Sequence, residues 1–179
     1  MTTPEGPPAA RQHAVAVGPL GLRAVDALVA GDLALASVAI GVELPAAFLD
    51  DGWLWAIRLE QILADERDEP WVAWVATRDG QVVGHTGFHG RPDADGEVEV
   101  SYTVLPELRG RGVGAQVLEA VLAFCDAAPA VRSVRASVSP DNAPSLALAR
   151  SHGFVLVGEQ VDEVDGLELV LRRVPQRAS

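Results

Sequence analysis

Residues 97–115 read Glu97-Val98-Glu99-Val100-Ser101-Tyr102-Thr103-Val104, then Leu105-Pro106-Glu107-Leu108, then Arg109-Gly110-Arg111-Gly112-Val113-Gly114-Ala115. The first eight residues alternate. Glu97, Glu99, Ser101 and Thr103 fall on one face, and Val98, Val100, Tyr102 and Val104 on the other, as in a strand with one buried face. From Ala115 to about Ala127 the apolar residues recur at helical spacing. Three alternating glycines therefore stand between a strand and a helix. A helix start of this kind carries a partial positive charge and bare N–H groups, so it is a ready site for an anion such as a pyrophosphate. Arg109 and Arg111 point the same way in a chain of net charge -11. No Ser, Thr, Asp or Asn stands at the helix start to accept its first N–H groups, although water can serve them.

Taken alone, Gly110-x-Gly112-x-x-Ala115 looks like a dinucleotide-binding fingerprint, but its surroundings oppose that reading. Residues Leu105 to Arg109 separate the strand from the first glycine. The residue about 20 positions on is Arg135, where an acidic side chain would hold a ribose. The preceding strands are joined by tight turns, whereas a Rossmann sheet needs helical crossovers. A Walker A loop is excluded because the chain has no lysine and all 14 basic residues are arginine. The same absence rules out a Schiff-base lysine.

Working outward, residues 13–19 suggest a short first strand, followed by helical periodicity to Asp65. Leu22, Val25, Leu28 and Val29 share one face of a first helix. Gly31-Asp32 ends it and caps a second, Leu33 to Ile40. Residues 54–64 form another amphipathic helix using Leu54, Ile57, Ile62 and the stem of Arg58. The period then changes: Trp71 to Thr77 and Gln81 to Gly90 read as strands joined by Asp79-Gly80, a strong hairpin signal. Asp95-Gly96 leads into Glu97–Val104. Beyond the glycine loop come a strand at Val131–Ser139, a helix from Asn142 to His152 closed by Gly153-Phe154, and a last hairpin (155–163, Asp165-Gly166, Leu167–Val174). The helical crossover makes the strand near 134–139 parallel to 98–104. The expected architecture is α/β (α+β), a mixed and mostly antiparallel sheet flanked by helices.

A chain of 179 residues is most simply one domain. Residues 1–12, with Pro4, Glu5, Pro7 and Pro8, read as a disordered tail without the basic and apolar regions of a signal peptide. The domain is expected over 13–175, with a short tail at 176–179. No apolar run reaches the roughly 18 residues of a membrane span. One cysteine, Cys125, permits no internal disulfide and suits the cytoplasm. The acidic balance argues against nucleic acid as a partner. It is compatible with a cationic substrate such as an amine, and equally with plain solubility.

Arg109-Gly110-Arg111-Gly112-Val113-Gly114-Ala115 resembles the [Gln/Arg]-x-x-Gly-x-[Gly/Ala] loop of GNAT-superfamily N-acetyltransferases, the matching positions being Arg109, Gly112 and Gly114. Asn142-x-x-Ser145 followed by Gly153-Phe154 is similar to that family's Asn-x-x-[Ser/Ala] helix start and closing Gly-Phe. Glu99-Val100-Ser101-Tyr102 looks like the Glu-Ile-Gly-Tyr segment of the branch that includes ribosomal-protein N-terminal acetyltransferases. The order of elements agrees over about residues 14–174.

The resemblance implies a GNAT-like fold whose parallel strand pair splays at an acetyl-CoA site. It implies acetyl-CoA as co-substrate, with the pyrophosphate on Arg109, Gly110, Arg111, Gly112, Val113, Gly114 and Ala115. Val104 and Leu105 would meet the pantetheine or acetyl group, and Asn142 and Ser145 the pantetheine side, while Asn142 also caps its helix. The implied reaction is N-acetylation of a primary amine by direct attack in a ternary complex. The acceptor is a small molecule or a protein N-terminus, and a homodimer is common for the fold. A non-catalytic acyl-CoA-binding or regulatory module of the same fold is the alternative.

The amine must lose a proton to attack. Glu99 is the first candidate base, with His85 and His89 as rivals that titrate near neutral pH; each of the three also reads as an ordinary polar residue. The resemblance implies a backbone amide near Val104, exposed where the strands splay, as the oxyanion donor. Many relatives carry a tyrosine seven residues after the asparagine, where this chain has Ala149. Ser145 is then the candidate for protonating the thiolate through water, and a thiolate also leaves readily without an acid. The only tyrosine, Tyr102, is expected in the core, and Cys125 reads as a buried mid-helix thiol. Trp53, Trp55, Trp71 and Trp74 read first as core or interface residues, with Trp53 or Trp55 as a candidate wall of the acceptor site. No ligand spacing supports a metal.

Overall fold

The alternation of residues 97–104 becomes a strand with the expected bounds, and it holds the centre of the sheet. The computed structural model describes residues 14–163 and 166–177. Among them are strands β1 (Val15–Pro19), β2 (Trp74–Arg78), β3 (Gln81–Phe88), β4 (Glu97–Val104), β5 (Ser133–Val138), β6 (Val155–Asp162) and β7 (Gly166–Arg173). The helices are α1 (Leu22–Val29), α2 (Leu33–Ile40), α3 (Gly52–Ala64), α4 (Glu69–Val72), α5 (Val113–Ala127) and α6 (Ala143–Ser151). The strands form one sheet in the order β1-β2-β3-β4-β5-β7-β6, antiparallel except at β4–β5. That parallel contact spans only Glu97↔Ser133, Val98↔Val134 and Glu99↔Arg135.

Each face of the sheet is covered by helices. Val98 and Val100 of β4 pack with Leu118, Val121, Leu122 and Cys125 of α5 and with Leu146 and Ala149 of α6. The opposite face lies under the N-terminal helices, whose core includes Val25, Leu28, Phe48, Trp55 and Ile62. Burial of side chains of this size stabilises by about 1.5–3 kcal/mol each. Asp79 (φ 54°) and Gly80 (φ 77°) make the two-residue hairpin turn between β2 and β3. Asp32 caps α2 by accepting from Leu35 N at 2.9 Å.

Three details differ from the periodicity. Leu22 and Val29 are 37% and 42% exposed, and the inward stripe of α1 is Ala24, Val25, Ala27 and Leu28. Small alanines let α1 lie close to its neighbours, so its buried arc is rotated from the face the larger residues suggest. In α3 the buried stripe is Trp55, Arg58 and Ile62, leaving Ile57 44% exposed. Trp71 belongs to α4 and not to a strand. Pro70 sits in that helix's first turn, where its missing N–H costs nothing, and β2 starts only at Trp74. The expected tail over 1–12 lies outside the described residues, as does Asp165 of the last turn.

Candidate functional site

The register of β3–β4 determines which way the backbone of β4 points. Leu105 N donates to Val83 O (3.0 Å) and His89 N to Glu99 O (2.8 Å), so alternate residues of β4 bond to β3. The intervening ones, Tyr102 and Val104, direct their N–H and C=O groups toward β5. No β4–β5 ladder pair exists beyond Glu99↔Arg135. The two strands diverge there into a wedge, and the Val104 amide faces into it. The Val104 carbonyl accepts from Arg109 Nε at 3.0 Å, which ties the glycine loop back to the strand.

α5 begins at the mouth of this wedge. Its N-cap residue is Gly112 (φ 77°, ψ 0°), a left-handed conformation that L-residues adopt at a cost of about 1 kcal/mol or more, and no side chain caps the helix. A Cβ on Gly110 or Gly112 would meet nothing within 4 Å, so the loop borders open space. Behind it the packing is close. A Cβ on Gly114 would lie 3.5 Å from Leu148 Cδ2, 3.7 Å from Val104 Cγ2 and 3.9 Å from Tyr102 Cε2. A helix start with no side-chain cap, an open approach and two exposed arginines, Arg109 and Arg111, fit a diphosphate. The Val104 and Leu105 side chains are buried, so what they offer a ligand is backbone.

The wedge's other wall is the start of α6. Asn142 caps it, with Oδ1 accepting from Ser145 N at 3.2 Å. Ser145 also hydrogen-bonds the Tyr102 hydroxyl, and burial pushes that hydroxyl above its ordinary pKa. Tyr102 is thus half-buried with its polar end in the wedge, rather than wholly in the core. Ala149 is buried.

On the other face of β4, Glu99 Oε2 lies 3.4 Å from Arg135 Nε and 3.8 Å from His89 Nδ1. Arg135 continues to Gln160, and Gln160 donates to Glu168 at 2.8 Å. Glu97 is held by Arg172 Nε (2.6 Å) and Ser133 Oγ (3.0 Å). Burial lowers the pKa of His89, against the opposing pull of Glu99. His85 shares the face of Glu99 but sits deeper. Its Nε2 is 2.9 Å from Asp51 Oδ2, and the Phe48 and Trp55 rings meet it edge-on. Burial lowers its pKa, with Asp51 acting in the other direction.

Of the two candidate wall tryptophans, Trp55 is core and Trp53 is 66% exposed. Cys125 is fully buried and its thiol is pushed up to about 12. Among the described residues no group of three or more His, Cys, Asp or Glu is placed to hold a metal ion, and no helix is long and apolar enough to cross a membrane. Sequence reading missed Asp51 and the Tyr102–Ser145 contact. The signal for Asp51 was its place in the Asp50-Asp51-Gly52 turn, but its partner is 34 residues away.

A family model for the acetyltransferase (GNAT) family matches residues 42–154, more than half of the chain. A Bacillus subtilis (strain 168) protein provisionally named phosphinothricin acetyltransferase YwnH is 37% identical over 83 residues, 44% of this chain and 49% of that protein. The chain therefore spans about half the length of this curated relative. Among solved structures, an aminoglycoside acetyltransferase in complex with coenzyme A superposes with a TM-score of 0.62 at 16% identity, covering 90% of this chain and 95% of that one. An acetyltransferase from Salmonella typhimurium that modifies the N-terminal serine of a ribosomal protein gives 0.62 at 15% identity, again over 90% and 95%. At these identities the likeness is one of fold.

Proposed function

The chain belongs to the acetyltransferase (GNAT) family, and from that premise we propose that it moves the acetyl group of acetyl-CoA to a primary amine by direct attack in a ternary complex. The observation that carries this reading is the wedge. An uncapped, glycine-led helix start opens onto a gap in the sheet into which a strand amide points. An amine acceptor is supported by the names of the similar proteins, which mention phosphinothricin, aminoglycosides and an N-terminal serine. A single buried cysteine fits a cytoplasmic enzyme.

Residues 109–115 hold the pyrophosphate, and the pantetheine arm runs along the backbone of Val104 and Leu105, past Asn142 and Ser145. The amine nitrogen attacks the thioester carbon and the C–N bond forms. The Val104 N–H stabilises the oxyanion, a contribution typically of about 3–4 kcal/mol for one such donor. Glu99, oriented by Arg135, takes the amine proton directly or through water. His89, whose pKa burial lowers against the pull of Glu99, is the nearest rival base. His85 is already engaged by Asp51 and would act through that pair. The C–S bond then breaks, and the thiolate takes a proton through the Ser145–Tyr102 hydroxyls. Cys125 carries no acyl group, because a buried thiol of such high pKa is a poor nucleophile at neutral pH.

Release of free thiol from acetyl-CoA is measured across an amine panel. Glu99→Gln is expected to lower kcat about 100-fold or more with unchanged acetyl-CoA affinity. Full activity in that variant moves the base to His89, His85 or water. The buried Ala149, with no tyrosine beside it on α6, favours a second reading as a non-catalytic acyl-CoA-binding module. CoA binding with no thiol release under any amine would establish that reading.

A further inference from the structure

Two arginines are buried among the described residues, Arg58 (5% exposed) and Arg173 (7%). Arg173 is matched: Nη1 and Nη2 meet the two carboxylate oxygens of Asp126 at 2.8 and 3.0 Å. Arg58 has no carboxylate within 4.0 Å among the described residues. Its one hydrogen bond runs from Nη1 to the neutral Gln61 Oε1, at 2.8 Å. Nε and Nη2 are not sealed, unpartnered atoms, so they border accessible space. A buried guanidinium without a counter-ion is costly, and a leucine or methionine would continue the Trp55–Ile62 stripe of α3 more cheaply. Arg58 stays charged despite its burial, and its fork fits a planar two-oxygen anion.

The position of Arg58 links it to the acceptor side of the site. Gln61, its partner, donates to the carbonyl of His89 at 2.7 Å. His89 lies 3.8 Å from Glu99. The Arg58 charge reaches both His85 and His89, lowering the proton affinity of each. Arg58, through Gln61, and Glu99, directly, are therefore both neighbours of His89, the first a cation with no carboxylate partner among the described residues and the second a carboxylate. A polyamine or aminoglycoside would bring further positive charge against the unpaired arginine. A zwitterion would satisfy both groups.

We infer that Arg58 anchors a carboxylate of the acceptor, and that the acceptor is a small amino acid-like molecule whose amine is presented to Glu99. This inference rests on the acetyl-transfer reading above.

The test compares acceptors matched in the amine and differing only in the anion: free L-amino acids against their C-terminal amides, with spermidine and kanamycin alongside. The wild-type protein should favour at least one free acid over its amide by about tenfold to a hundredfold in kcat/KM. Arg58→Gln should raise KM for that acid by a similar factor, leave its amide nearly unchanged, and keep acetyl-CoA affinity intact. Arg58→Lys should recover part of the preference. The wild-type acid-to-amide ratio needs no variant, so a misfolded Arg58→Gln protein does not spare the idea. Equal use of acids and amides, or efficient acetylation of spermidine or kanamycin alone, overturns the role of Arg58 and leaves acetyl transfer standing. Absence of CoA binding and of turnover with every amine overturns both.

Discussion

Gly84 of β3 lies opposite Val104, the residue whose amide faces the wedge. An alanine Cβ at Gly84 would lie 2.0 Å from the Thr103 carbonyl oxygen, 3.0 Å from its carbon and 3.1 Å from Val104 Cα. All three neighbours are backbone, so no rotamer change relieves the clash. A carbon–oxygen contact needs about 3.3 Å, so β3 and β4 must separate by roughly 1.3 Å at this point. Weakening one or two ladder hydrogen bonds costs about 1 kcal/mol each, and overpacking adds about 1–3 kcal/mol. For Gly84→Ala the sum is roughly 2–5 kcal/mol, and at about 2–4 °C per kcal/mol the melting temperature should fall by about 4–20 °C. The shift also carries the Val104 amide about 1 Å from its place, which should lower kcat about 100-fold. Acetyl-CoA affinity should change less than kcat, because Gly112 and the residues after it open α5 and the loop's side-chain tie to β4 is the single Arg109–Val104 bond. Thermal unfolding and steady-state kinetics on the same preparation check both effects. A variant with wild-type melting and wild-type kcat would refute the close approach of β3 and the role of the Val104 amide together.

Other perturbations test the frame around the site. Asp126→Asn strands the Arg173 guanidinium and should cost about 2–4 kcal/mol by denaturant unfolding. Arg173 holds the Asp126 carboxyl below its usual range, so in the wild type this stability is present above about pH 4 and is lost as pH falls through the folded value. Burial sets the His85 pKa below about 6.5, so the unfolded chain binds that proton first. Its contribution is complete above about pH 6.5 and declines on acidification, and His85→Gln should flatten the melting temperature between about pH 7 and pH 5.5. Cys125 should resist iodoacetamide at about pH 8 until the protein unfolds, and Cys125→Ala should keep its turnover; fast labelling of the native protein would contradict its burial.

The parts of this molecule that were legible in the sequence are those a single strand or helix decides for itself. Residues 97–104 could be bounded correctly because one face meets α5 and α6 while the other borders the cleft. Asp32 and Asn142 were legible as caps because capping is a three-residue event. Trp71 was misplaced because Glu69-Pro70 starts a helical turn too short to leave a period. The site was legible only one residue at a time. Glu99 was identified on the correct face, but its partner Arg135 depends on the parallel register after a crossover. His85 and His89 share a face, yet Asp51 reaches only the first of them. A period of two places Tyr102 in the core. Its hydroxyl escapes that assignment because no β5 residue pairs with it where the strands diverge.

That divergence has a mechanical side. Three residue pairs join a four-stranded plate, β1 to β4, to a three-stranded one, β5 to β7. In its backbone hydrogen bonding the sheet is therefore two ladders joined over a short stretch, with one core beneath both. A ligand lying in the gap and bonded to both edges stands in for the missing rungs. Occupancy of the gap should then suppress local opening there, slowing hydrogen exchange at Tyr102 and Val104, and should raise the melting temperature with the logarithm of ligand concentration. Without a ligand, the edge of β4 at Tyr102 and Val104 should exchange faster than its paired half at Glu97 to Glu99.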